Sequence, residues 1–179
     1  MHHLMLVTLS LENGGSAEAR DSAYSLLSED DSFVGDGCRF GCPLADWFVI
    51  GGRWSGLLRQ TLLGDRYQDA LKQVFPDFAK GYYPAELAKL HKDGLDKLWH
   101  RLGGTGANPL TRSSYDHYGA DDDAMLVSPP LYDRFLKRVA GTADYIDGDS
   151  FGDFADLDFE EVDESFIGRK WLVVVDYHT

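Results

Sequence analysis

The run Trp171-Leu-Val-Val-Val175 near the C-terminus is apolar at every position and ends in three valines. A strand with one wet face alternates apolar and polar residues, whereas an unbroken β-branched run suits a strand covered on both faces. The chain therefore needs a sheet with other layers packed on it. Leu4 to Leu11 predicts a further strand, with Met5, Val7, Leu9 and Leu11 on one face. The opening MHHLMLVTLSLE has no basic region and no small-residue cleavage site, so it reads as this strand and not as a signal peptide. Ser16 is the expected N-cap of a helix reaching Leu27. Trp47 to Ile50 is a second strand, and Met125 to Val127 a short one. Helices are expected from Asp65 to the stop at Pro76, from Pro84 to Gly103-Gly104, and from the Ser128-Pro129-Pro130 cap to about Val139. The helix after Pro84 should carry Leu87, Leu90, Leu95, Leu98 and Leu102 as its apolar stripe. This order predicts a single α+β domain: a mainly antiparallel sheet of about four strands, with helices packed largely on one face.

At 179 residues the chain is the size of one domain and long enough to bury a core without staples. Its 17 basic and 30 acidic side chains leave a net charge of −13. Such a field repels nucleic acid and anionic membranes, which excludes direct nucleic-acid binding and points to a basic protein surface as partner. No apolar run approaches the roughly 20 residues that span a bilayer, and the cytoplasm is the expected compartment.

The stretch DWFVIGGRWSG, residues 46–56, interrupts an apolar run with Gly51 and Gly52 and sets Arg53 beside Trp54. Glycine inside a strand marks a bulge or a close approach of other atoms. A one-residue bulge would put Trp54 on the face of Trp47, and Arg53 with Phe48 and Ile50. Two readings follow. Arg53 stacks on a tryptophan and pairs with Asp46, locking a bent strand. Alternatively Arg53 is the anion-binding group of a pocket walled by Trp47 and Trp54. The segment lacks the GK[ST] ending of a phosphate loop.

This block, with the later DDDAMLVSPPLYDRFL and the terminal LVVVDYH, resembles a group of small uncharacterised proteins from phages and bacteria. The resemblance covers about a quarter of the chain and carries no established activity. It implies a mobile-element origin, and by analogy an inhibitor that docks on the nucleic-acid-binding surface of a host defence or CRISPR complex.

Other groups could carry chemistry. Asp176 and His178 are two apart and share a strand face, an arrangement in which a carboxylate orients an imidazole. The loop TRSSYDHYGADDDA holds His117, Asp121, Asp122 and Asp123, oxygen and imidazole donors that suit a divalent metal or simply a solvated acidic loop. Cys38 and Cys42 are spaced for zinc, a disulfide or two plain thiols.

Residues 141–167 contain no lysine or arginine, and they hold Asp147, Asp149, Asp153, Asp156, Asp158, Glu160, Glu161, Asp163 and Glu164. Asp147 to Asp158 partly fits a calcium loop, but Phe151 stands at a ligand position. Aromatic residues punctuate the acids, so this segment is expected to pack its apolar side down and display carboxylates outward, in imitation of a phosphate backbone. A nucleophile elbow, a zinc-helix motif, a dinucleotide fingerprint and a redox cysteine pair are all missing, and no cofactor is expected. The leading expectation is an acidic protein-interaction module. The alternative is a ligand-binding protein or enzyme built on Arg53, Trp47 and Trp54 with an Asp/His group from Asp176, His178 and His117.

Overall fold

The computed structural model describes residues 1–29, 33–34, 45–74, 90–105, 108, 111, 121–139, 143–149 and 162–179. Five strands form one sheet: β1 (His2–Ser10), β2 (Trp47–Ile50), β3 (Ala124–Leu126), β4 (Asp144–Asp147) and β5 (Lys170–His178). The order is β2-β5-β1-β4, and β3 also pairs with β5. Every pairing to β5 is antiparallel, and β1 with β4 is parallel. The apolar Trp171–Val175 run thus lies in β5, flanked on both sides. Leu172, Val173, Val174 and Val175 have no exposed surface.

The helices among the described residues are α1 (Ser16–Ser28), α2 (Leu57–Val74), α3 (Lys92–Arg101) and α4, which runs through Pro129–Leu131, a π turn at Tyr132–Leu136, and Lys137–Val139. Short 3₁₀ turns lie at Gly52–Trp54, Asp121–Asp123 and Glu164–Phe166. Alternation along β1 and β5 sends Met5, Val7, Leu9, Val173 and Val175 to one face, where Ala19, Ala23 and Leu27 of α1 cover them. Leu6, Leu172 and Val174 face the other way, beneath Leu58 of α2 and Leu131, Tyr132, Phe135 and Leu136 of α4. Each such buried Val, Leu, Met or Phe side chain contributes roughly 1.5–3 kcal/mol. Among the described residues, α2 and α4 cover this second face and α1 alone covers the first. The result is a single α+β domain with a mostly antiparallel sheet.

Several local features differ from the sequence reading. Helix α1 is capped by Gly15 and not by Ser16, and the Gly15 N–H donates to Glu18 Oε2 at 2.8 Å. Helix α2 begins at Leu57, eight positions before the expected Asp65, and bends at Gly64 (φ 44°, ψ −127°). That bend directs Leu58 to the sheet while Tyr67 and Leu71 pack on Leu95, Leu98 and Trp99 of α3. Leu90, expected in the α3 stripe, is 77% exposed. Asp144–Asp147, inside the acidic span, is a strand. No described helix is long and apolar enough to cross a membrane.

Candidate functional site at the β1–β5–β2 end of the sheet

β2 does not bulge at its glycines; it ends there. Gly51 and Gly52 take φ values of 77° and 51°, the left-handed region open to glycine, and the chain enters the Gly52–Trp54 turn. Close approach demands glycine as well. A Cβ on Gly51 would stand 2.2 Å from Asp123 Oδ2, and one on Gly52 would stand 2.4 Å from Asp176 Cβ. The turn is pinned by backbone donors. Gly51 N–H reaches Val174 O at 2.7 Å, Arg53 N–H reaches Asp176 Oδ2 at 2.9 Å, and Gly56 N–H reaches Asp123 Oδ1 at 3.3 Å.

Register assembles the site. His2, His178 and Trp47 form one row across β1, β5 and β2; Leu4, Asp176 and Val49 form the next. A diagonal neighbour in an antiparallel pair is within reach of a long side chain. His2 Nδ1 accordingly lies 2.9 Å from Asp176 Oδ1. Asp176 is 1% exposed, and both its oxygens are engaged, by His2 and by the Arg53 backbone. His178 Nδ1 turns instead to Asp46 Oδ2 at 3.1 Å, and its Nε2 lies 3.0 Å from the Met1 amino group. Trp47 stacks on His178 with centroids 5.5 Å apart and planes within 2°. The His2 ring meets both edge-on, each at 5.2 Å.

Asp176 and His178 therefore share a site, but the imidazole that Asp176 holds is His2, a residue the sequence reading passed over. Nothing in a single strand marks His2, because the contact depends on the register between the two ends of the chain. Asp46 pairs with His178 and not with Arg53. The Arg53 side chain is exposed and has no ion-pair partner among the described residues. The two tryptophans do not wall one pocket: Trp47 is at the sheet end, 42% exposed, whereas Trp54 packs into the Leu6–Leu58 cluster.

The aspartates of the 3₁₀ turn at 121–123 are structural neighbours of the same glycine turn. Asp122 Oδ1 accepts from Arg59 Nε at 3.0 Å and from Thr105 Oγ1 at 2.8 Å. Asp123 is fully buried, and that burial pushes its carboxyl up to about 7 against the opposing pull of Ser55, Arg20 and Gly56. Burial likewise raises Asp122. The backbone of Asp121 lies in the same turn. Among the described residues no group of three His, Cys, Asp or Glu side chains could hold a metal ion. His117, Cys38 and Cys42 lie outside the described residues.

Of the acidic segment, Asp153, Asp156, Asp158, Glu160 and Glu161 lie outside the described residues. Asp147 and Asp149, two ligand positions of the partial calcium-loop match, are both paired with Lys170. Burial alone would raise Asp149, yet Lys170 and Ser10 outweigh it and hold the carboxyl low. Asp163 Oδ1 accepts from Ser165 N–H at 2.7 Å and caps the 3₁₀ turn, and Glu164 is exposed.

No protein-family model matches this chain, and neither a curated protein nor a solved structure matches it.

Proposed function

We propose that the β1–β5–β2 end of the sheet binds a small anionic ligand, with His2 as its proton-transfer group. The observation that carries this reading is the His2–Asp176 pair. A carboxylate only accepts hydrogen bonds, so it draws the Nδ1 proton of His2 and leaves Nε2 with its lone pair. An imidazole held in this tautomer offers Nε2 to accept a proton from a bound ligand. Trp47 and His178 supply stacked rings beside it, and Arg53 supplies an exposed cation on the adjoining turn. Arg53 and these rings stand together in a molecule of net charge −13, where an exposed cation is the natural seat for an anion.

The test is a titration of His2 and His178 ring resonances against inorganic phosphate, nucleoside monophosphates and small carboxylic acids, paired with thermal shift. A ligand at 100 times its dissociation constant stabilises the fold by roughly 2.7 kcal/mol. Binding should move both rings and be lost in His2→Gln and Arg53→Gln, which stay folded. If no anion in the panel moves the His2 ring, the reading fails.

The net charge supports a second reading, docking on a basic partner in the manner of a mobile-element inhibitor. It requires binding that weakens steeply with salt, since exposed charges are screened beyond about 8 Å at physiological ionic strength. Partner capture undiminished in molar salt would count against it.

A further inference from the structure

Arg20 and Tyr24 stand one turn apart on α1, and side chains four positions apart on a helix are neighbours. A cleft of about 330 Å³ lies between them and β2, lined among the described residues by Arg20, Asp21, Tyr24, Phe48, Val49 and Ile50. It belongs to the α1 face of the sheet, since Ile50 is part of the core beneath α1 and Phe48 packs against that core. Strand alternation sends Trp47 to the opposite face, with His178 and Asp176, so the cleft is separate from the His2–Asp176 pair.

Two observations give the cleft a chemistry. Tyr24 is 54% exposed, and its ring meets Phe48 at a centroid distance of 5.3 Å, which makes a seat for a further ring. Arg20 supplies a cation without an acceptor. Its Nε is buried and has no hydrogen-bond partner, and the side chain makes no ion pair among the described residues. Its charge pulls the Asp123 carboxyl down, yet the two do not bond, and Asp123 Oδ2 is likewise buried without a partner. A buried charged donor with no acceptor is costly, and a ligand that answers it removes the cost.

We infer that this cleft binds a small aromatic carboxylate, its ring seated on Tyr24 and Phe48 and its carboxylate on the Arg20 guanidinium. A guanidinium presents a fork of N–H donors that matches the two oxygens of a carboxylate. The cleft is at the lower end of the roughly 300–1,000 Å³ of ligand pockets, which suits one ring with a short side chain. Asp21 is exposed on the same cleft and receives the ammonium where the ligand is an α-amino acid. This site goes beyond the anion site proposed above and uses none of its residues.

The probes are phenylpropionate, phenylalanine, phenethylamine and phenylpropanol, followed by NMR of the full chain. Each is titrated to about 10 mM, above the roughly 1 mM dissociation constant expected of so small a ligand. Both carboxylates should shift the Tyr24 and Phe48 ring resonances and leave the His2 ring unmoved, whereas the alcohol and the amine should shift neither. Arg20→Met should weaken binding at least about tenfold. It should leave the amide spectrum otherwise intact, because the Arg20 Nε has no partner to lose. Tyr24→Ala, an exposed position, should weaken binding about fivefold. Tighter binding of phenylalanine, lost in Asp21→Asn, supports the site as one for an amino acid; tighter binding of phenylpropionate supports it as one for a plain acid. The proposal is overturned if neither carboxylate shifts the Tyr24 and Phe48 rings, if the alcohol or the amine binds as well as the acids, or if Arg20→Met binds unchanged. Shifts confined to the His2 ring overturn this site and support the anion site at the sheet end.

Discussion

Asp176 holds His2 across two strands that come from opposite ends of the chain, with Oδ1 2.9 Å from Nδ1. Its other oxygen accepts the Arg53 N–H, so one buried carboxylate joins β1, β5 and the glycine turn after β2. Removing it strands two donors. Asp176→Ala is expected to cost about 2–4 kcal/mol in denaturant unfolding, because unpaired buried groups keep their full desolvation cost. Asp176→Asn should recover part of that, since its carbonyl still accepts one of the two bonds. Equal stability of wild type and Asp176→Ala would show the pair to be energetically idle.

Glycine is needed at position 52 on two separate grounds, positive φ and contact with Asp176, and at 103 on only one. Gly103 has φ 92° with open space around it. Gly103→Ala should therefore cost about 1 kcal/mol of backbone strain alone. Gly52→Ala should cost about 3 kcal/mol or more, because the new methyl meets Asp176 Cβ at 2.4 Å within a packed strand. The same variant should also disturb the His2 ring resonances, a readout that Gly103→Ala leaves untouched.

Asp123 makes the fold sensitive to pH in an unusual direction. Its folded value near 7 lies above the unfolded value of about 3.9, so the folded chain binds more protons between them. Its contribution to stability is full below about pH 4 and is lost as pH rises through 7. Over that window the loss is of order 4 kcal/mol, taking 1.36 kcal/mol per unit. Asp123→Asn should flatten this part of the stability profile. Identical slopes for wild type and Asp123→Asn between pH 5 and 8 would refute the assignment.

Lys170 anchors the start of the acidic span through Asp147 and Asp149. Burial would lower its ammonium, but the two carboxylates outweigh burial and raise it. Lys170→Met should cost only about 1 kcal/mol, since Asp149 keeps a third of its side chain in water and solvent weakens the pair. Amide exchange at Asp149 and at Ser10, whose N–H donates to Asp149, should nevertheless quicken. Unchanged exchange at both would mean that the ion pair holds nothing in place.

The residue pattern by itself determined the class of fold and its centre. The unbroken Trp171–Val175 run could only be satisfied between two covered faces, and the period-two pattern of Met5, Val7 and Leu9 named the side facing α1. Local signals did less well where packing overrode them. The Leu57–Gly64 stretch was hidden as a helix by its glycine-rich approach, and Asp144–Asp147 as a strand by its acidic surroundings. Asp176 and Trp47 were visible as members of a site because each sits on an identifiable strand. Their partners were not. Whether Asp176 meets His2 or His178, and whether Asp46 meets Arg53 or His178, depends on strand order and on the register of β1 against β5, which brings residue 2 beside residue 178. A side chain's spacing along its own strand is a local property, whereas a hydrogen bond across strands is fixed only when the whole sheet has closed.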